Sequence, residues 1–325
     1  MQALVLNTLH QPLQLSELPD PQAQPGEGIV HLHAAALNHR DVYITQGKYA
    51  GIELPCVLGS DGAGEYEGRR VLIFPSLHWG DDPRAQGRHF RVLGMPDPGT
   101  FAEQIAVPLS HLYPVPEHLS WEEAAALPLG GLTAWRVLMT RCQLRPGERV
   151  LVSGIGGGVA LFALQFAVAA GAEVWVTSSR PEKIERAVAL GAKGGADYRA
   201  EGWDKVLKAA AGGFDVVIDA AGGEGFAAFA GLCNPGGRIG IYGGTAGRIS
   251  GLSPQIVFWK QLSILGSSMG DAADFEQMLD FVGRHAIRPV VDAVFPLAEG
   301  NAALRRLDEG AQFGKVVLRI RGSRF

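Results

Sequence analysis

The stretch RVLVSGIGGGVALFALQFAVAAGAEVWVTSSR, Arg149 to Arg180, decides the fold. Val150, Leu151 and Val152 form a short apolar run, as a strand buried on both faces requires. Gly154, Gly156, Gly157 and Gly158 crowd the turn that follows, where a backbone approaching a phosphate has no room for side chains. Val159 to Ala170 carries no charge and predicts a buried helix. Its first amides face the turn, where unpaired N–H groups and the helix dipole stabilise an anion. Gly171 ends the helix, and Ala172 to Thr177 reads as the next strand. Strand, glycine turn, helix and strand within about thirty residues predict a dinucleotide site. The glycines are spaced as Gly154, Gly157 and then Ala160, because Val159 stands where the common pattern has its last glycine. A glycine turn that holds no nucleotide is the plainer alternative.

What the second strand ends with selects the nucleotide. A site for NAD places Asp or Glu about twenty residues after the glycines, on the ribose 2′-OH. Here Thr177, Ser178, Ser179 and Arg180 fill that place, and no carboxylate comes before Glu182. Hydroxyls with Arg180 and Lys183 nearby suit a 2′-phosphate, which a carboxylate would repel. The expected cofactor is NADPH. A solvated helix start, with Pro181 at its first position, explains the same residues one by one.

The 325 residues allow two domains, each with its own core. A net charge of −4 gives no reason to expect nucleic acid or an anionic membrane as partner. Cys56, Cys142 and Cys233 are isolated, so neither a disulfide framework nor a thiolate zinc site is indicated. The start of the chain lacks a basic region followed by a long apolar core, so no signal peptide is read there. A reducing compartment, the cytoplasm, is the expected location, with no membrane partner.

Residues 1 to about 120 read as β-rich. Ala3 to Leu6, Ile29 to Ala36, Arg70 to Phe74 and Gln104 to Val107 are short apolar runs separated by Pro and Gly clusters. Pro75 to Gly99 is too polar and broken for regular structure and is expected as a long loop, in which Trp79 and Phe90 either cover a substrate or pack to the core. Trp121 to Met139 follows the N-cap Ser120 and is broken at Pro128 into two helices. Helical segments then alternate with Phe214 to Asp219, Arg238 to Tyr242 and Leu262 to Gly266, which predicts an α/β fold with a doubly wound parallel sheet. The tail from Asp274 adds a helix, a strand near Val290 to Phe295, a second helix and a last strand from Lys315.

This order resembles the medium-chain dehydrogenase/reductase superfamily over essentially the full length. Four segments carry the resemblance: ALNHRDVY at Ala36 to Tyr43, LPCVLGSDGAG at Leu54 to Gly64, LPLGGLTAW at Leu127 to Trp135, and FGKVVLRI at Phe313 to Ile320. It implies a β-rich, GroES-like catalytic domain over 1–120, completed by 271–325, and a Rossmann NADP-binding domain over 121–270. Where zinc alcohol dehydrogenases of the superfamily have a ligand cysteine, this chain has Asn38. Where they have the His and Glu of a GHE motif it has Ser60 and Asp61, and the third ligand position falls near Leu129. No metal is therefore expected, since a catalytic zinc needs three protein ligands.

The pattern is similar to the zinc-independent quinone oxidoreductase branch. The resemblance implies that Asn38 replaces the zinc cysteine and orients substrate or ribose, with Asp41 the acid three residues on, which acts chemically or braces a turn. Tyr43 and Tyr49 line the nicotinamide pocket as acids or as walls, and Thr133 lies beside the nicotinamide. Gly154, Gly157, Gly158 and Val159 form the phosphate turn. Ser178, Ser179, Lys183 and Tyr198 stand at the adenosine 2′-phosphate, and Gly243 at the nicotinamide half, with a plain turn as its alternative. His39 matches a pyrophosphate contact. Without a Lewis acid the acceptor must already be polarised, so NADPH-dependent reduction of quinones or α,β-unsaturated carbonyls is expected, with the cofactor in the cleft between domains. An enoyl-thioester reductase, or an NADPH-binding sensor with little turnover, are the alternatives. The strand near Leu262 to Met269 is an open sheet edge, and a homodimer is expected.

Overall fold

In the computed structural model, which describes residues 1–321, the apolar run Val150–Val152 lies in the strand Arg149–Val152, at the middle of a six-stranded sheet. All five pairings of that sheet are parallel. The strands run, in spatial order, Gly194–Asp197, Glu173–Ser178, Arg149–Val152, Phe214–Asp219, Cys233–Ile241 and Ser263–Gly266. Chain order reverses at the central strand, which creates the switch point where such sheets bind ligands at their carboxyl ends. Val150, Leu151 and Val152 are fully buried, as a strand with neighbours on both sides and helices on both faces demands. The helix Gly158–Ala169 buries Leu161, Phe162, Leu164 and Phe166, with the rings of Phe162 and Phe166 stacked at 5.7 Å. Gly171, at φ +81°, turns the chain into the next strand. This unit spans Gly131–Gly270.

The other unit comprises Met1–Gly130 and the return from Asp271. Its central strand, Glu27–Ala36, pairs antiparallel with Asp61–Tyr66, Gln104–Pro108 and Lys315–Arg319. The sheet continues outward through Arg69–Ile73 on one side and Val291–Pro296 on the other. Register decides what meets at its end. Ala36 stands opposite both Asp61 and Val317, and the Leu37 N–H donates to the Val316 carbonyl at 2.9 Å. Asn38, two residues past Ala36, and Lys315, two before Val317, are thereby brought to one level with Asp61.

Two expectations are corrected. The helix Trp121–Ala126, capped by the Ser120 hydroxyl at 3.2 Å from the Glu123 N–H, packs on the strands Glu27–Ala36 and Asp61–Tyr66. Its buried Ala124, Ala125 and Ala126 belong to that β-rich core, so the second unit begins at Gly131 rather than at 121. The segment from Pro75 to Gly99 is not without regular structure. Ser76–Leu77 pairs antiparallel with Arg91–Val92. Trp79 is 6% exposed with Phe90 edge-on at 5.3 Å, and Leu77, Leu93 and Met95 are buried. These two aromatics pack the segment.

Candidate active site

In the first unit the helix His39–Thr45 begins directly after the central strand, and Asn38 sits at its N-cap in an extended conformation. The Asn38 N–H donates to Asp41 Oδ2 at 2.8 Å, so Asp41, fully buried, closes the first turn. Burial pushes the Asp41 carboxyl up to about 6, against the opposing pull of Arg40 and the Asn38 N–H. The Asn38 side chain also meets the ends of two strands. Its Nδ2 donates to Asp61 Oδ2 at 2.9 Å, and its Oδ1 accepts from Lys315 Nζ at 2.7 Å. Lys315 Nζ also donates to Asp61 Oδ2 at 2.8 Å. The other Asp61 oxygen accepts the Leu129 N–H at 2.7 Å. Asp61 is 0% and Lys315 4% exposed, so the carboxylate and the ammonium are desolvated, while the carboxamide that closes the ring with them is half-buried.

Arg40 is the second buried cation. Its Nη1 donates to Ser60 Oγ at 2.7 Å and to the Leu93 carbonyl at 2.9 Å, which ties the 75–99 segment to the helix. Its guanidinium lies 5.1 Å from the Tyr49 ring centroid, a cation–π contact. Tyr43 is half-buried on the helix, with the His39 ring 6.4 Å away. The His39 imidazole has its pKa lowered by burial of the ring and by the Lys315 ammonium, against the pull of Asp308.

In the second unit the glycine turn is built as the sequence implies. Gly154 has φ +63° and Gly156 φ +132°, both in the region that favours glycine. The Gly154 N–H donates to Thr177 Oγ1 at 3.1 Å, binding the turn to the neighbouring strand. Gly157 caps the helix, and Gly158 and Val159 form its half-buried first turn. A Cβ on Gly156 would lie 3.0 Å from Lys183 Nζ, so the ammonium lies over the turn. Ser178 is buried, with its hydroxyl accepting the Arg180 N–H at 3.1 Å, which leaves the half-buried Ser179 as the more accessible hydroxyl. Tyr198, 45% exposed, is held beside them by its N–H to the Ser178 carbonyl at 3.1 Å. Arg199 reaches from the next strand end to the Ser179 carbonyl. Thr133 is buried with its Oγ1 at 4.0 Å from Met269 Sδ. Gly243 abuts the Ala220 carbonyl, which a Cβ would approach to 2.7 Å. Nearby, the Ser153 hydroxyl donates to Asp219 Oδ1 at 2.5 Å, and Asp219 Oδ2 accepts the Gly222 N–H, shaping the carboxyl end of the adjoining strand.

Sequence reading missed Lys315, Arg40 and Arg199. The available signal was a lone charge where burial is expected: Lys315 inside FGKVVLRI, and Arg40 between Asn38 and Asp41. Arg199 follows a strand that pairs in parallel with Glu173–Ser178, Ser178 standing opposite Asp197.

Two family models match the chain, an alcohol dehydrogenase GroES-like domain over residues 24–117 and a zinc-binding dehydrogenase over residues 158–284. The zinc-type alcohol dehydrogenase-like protein YogA of Leptosphaeria maculans is 35% identical, covering 96% of this chain and 96% of its own length. The chain belongs to the medium-chain dehydrogenase/reductase superfamily. A solved structure of an NAD-dependent alcohol dehydrogenase is similar at a TM-score of 0.93 and 37% identity, over 99% of this chain and 100% of that one. The quinone oxidoreductase of Thermus thermophilus, solved also in complex with NADPH, is similar at a TM-score of 0.84 and 35% identity, over 98% of this chain and 100% of that one.

Zinc, which the name of one family model implies, does not fit the residues of this medium-chain dehydrogenase/reductase. A dication needs lone pairs from N, S or O ligands in tetrahedral array. Here the Asn38 oxygen already accepts an ammonium and the Ser60 oxygen a guanidinium, and Leu129 offers no side-chain donor. Among the described residues no group of three His, Cys, Asp or Glu is placed to hold a metal ion. A dinucleotide does fit. The glycine turn, the helix start and Lys183 converge on one place, and no carboxylate lies among residues 177–181.

Proposed function

We propose that this chain is an NADPH-dependent, metal-independent reductase of quinones or α,β-unsaturated carbonyls. The observation that carries the reading is the closed ring of Asn38, Asp61 and Lys315, a neutral hydrogen-bond donor backed by a paired cation. Such a group cannot ionise an alcohol as a Lewis acid does. It can meet an oxygen that gains charge as an already conjugated acceptor is reduced.

Gly154, Gly157, Gly158 and Val159 would hold the pyrophosphate through backbone amides, and Thr133 and Gly243 would bound the nicotinamide. Ser179, Lys183, Tyr198 and Arg199 would surround the 2′-phosphate, with Ser178 fixing the loop from beneath. When bound, the cofactor supplies a hydride. Asn38 donates an N–H to the acceptor oxygen, Tyr43 or water supplies the proton, and Tyr49 walls the site. Asp41 acts on Asn38 rather than on substrate, since it is fully buried. The relatives' names divide between NAD and NADPH, and the absence of a carboxylate before Glu182 favours NADPH.

Reducing conditions suit the three buried cysteines, whose thiols burial pushes up to about 11 at Cys56 and Cys233 and about 12 at Cys142. A cytoplasmic enzyme is the proposal. Among the described residues no helix is long and apolar enough to cross a membrane. We also propose a homodimer that pairs the edge strand Ser263–Gly266. Ile264 is 39%, Phe258 53% and Trp259 78% exposed on and beside it.

The deciding experiment measures NADPH and NADH oxidation against an ortho-quinone, a para-quinone, a 2-alkenal and an enoyl thioester, with metal content determined on the same preparation. Turnover of quinones or the alkenal with NADPH supports the reading. A preference for the enoyl thioester selects the alternative reductase, and tight NADPH binding with every acceptor idle selects the sensor. Stoichiometric zinc together with alcohol oxidation would overturn it.

A further inference from the structure

We propose that Lys315 is a positioning residue whose ammonium fixes and polarises the Asn38 carboxamide, making the amide's second N–H the donor to the acceptor oxygen. The proposal rests on the reductase reading and goes beyond it in assigning Lys315 a role.

An ammonium only donates and an ionised carboxylate only accepts. Lys315 Nζ at 2.7 Å therefore identifies Oδ1 of Asn38, and Asp61 at 2.9 Å identifies Nδ2. The amide cannot flip without setting N–H against ammonium and carbonyl against carboxylate. Asp61 Oδ2 takes both Lys315 and one Asn38 N–H, and Oδ1, turned to the Leu129 N–H, takes none from Asn38. Asn38 is half-buried, and among the described residues that second N–H has no protein partner. The backbone beneath is held as well, by Asp41 on the Asn38 N–H and by Val316 on the Leu37 N–H. An ammonium on a carboxamide oxygen withdraws electron density and strengthens the N–H as a donor, the more so in a desolvated site. A strand-to-strand ion pair alone would need only Lys315 and Asp61. The inclusion of the Asn38 oxygen is what points to a task at Asn38.

In the reaction class considered, hydride adds to the electrophilic carbon, the π electrons move to oxygen, and the resulting enolate or quinol oxygen receives the Asn38 hydrogen bond. A proton from Tyr43 or water would complete the reduction, the hydride being what NADPH would supply on going to NADP⁺.

The test compares wild type with Lys315→Arg, Lys315→Met, the charge-neutral double variant Asp61→Asn/Lys315→Met, and Asn38→Ala alone and combined with that pair. The double variant removes both buried charges, so it folds where Lys315→Met alone leaves Asp61 stranded. Its kcat with a para-quinone is expected to fall about tenfold to a hundredfold, with the NADPH Kd from fluorescence titration within about twofold of wild type. Asn38→Ala added to the pair is expected to lower kcat no further, and Lys315→Arg to restore most of it. The second readout needs no turnover. The Asn38 side-chain proton held by Asp61, assigned by its loss in Asn38→Ala, is expected to exchange slowly with water in wild type and at the free-amide rate in the double variant. An unchanged kcat or an unchanged exchange rate in the folded double variant overturns the role of Lys315. A wild type idle on every acceptor overturns the reductase reading instead, and the exchange comparison then shows whether Lys315 holds Asn38 at all.

Discussion

Asp41 makes the site sensitive to pH. Its folded carboxyl is raised to about 6 from 3.8, chiefly by burial, while Arg40, Lys315 and Asp61 are the charges that face it. A carboxyl raised on folding favours the native state below its unfolded pKa, and that contribution is lost as pH rises through the folded value. Ionising it therefore costs roughly 3 kcal/mol by pH 7. Asp41→Asn keeps an oxygen for the Asn38 N–H and removes the titration. Calorimetry from pH 4 to 8 should show the variant gaining on wild type between pH 4 and 7, and parallel profiles would sink the assignment. Lys183 and Arg199 give a second test at this scale. Lys183→Ala and Arg199→Leu should each raise the NADPH KM by about tenfold or more while leaving that for NADH little changed, because charge-assisted bonds to a phosphate are worth about 1.5–3 kcal/mol. Equal effects on both cofactors would place these side chains elsewhere than at the 2′-phosphate. Asn38 and Asp41 were legible because they sit in one short motif. Lys315 was not, because the charge that explains it lies 254 residues away. Ser178 and Ser179 look alike in sequence, and only the strand's exit direction shows that Ser178 Oγ is spent on the Arg180 N–H.

The glycine turn and its helix were readable because both obey local rules: an uncharged apolar run, glycines ahead of it and a stop at Gly171. The segment 75–99 obeys no local rule. Its strands are two residues long, and its shape depends on Trp79 finding Phe90 and on Arg40 finding the Leu93 carbonyl. Arg40 is accordingly the anchor of that element. Arg40→Met removes its bonds to Ser60 and Leu93, each worth about 1.5–3 kcal/mol for a charged donor. Trypsin should then cut at the exposed Arg84 and Arg88 about ten times faster, or more, through local opening. Unchanged cleavage would mean that the segment's own packing suffices.

The alternation of strands and helices announced a doubly wound sheet, and the strand order bears this out. The place where the β-rich unit hands over to the other was less legible, because the helix Trp121–Ala126 carries the alanines of a core whose strands lie elsewhere in the chain. The proposed dimer is tested by Trp259→Glu combined with Ile264→Lys. Sedimentation should show wild type as a dimer and the variant as a folded monomer, since charges on an edge strand oppose pairing. A wild type that sediments as a monomer would refute the edge assignment. The ring of Asn38, Asp61 and Lys315 has one more consequence, for biosynthesis. A ribosome makes Asp61 early and Lys315 254 residues later, so until then the growing chain holds a carboxylate that cannot be buried without severe penalty. A chain ending before Lys315 should therefore be cut by protease faster than the full chain, and Asp61→Asn, which needs no cation, should narrow the difference.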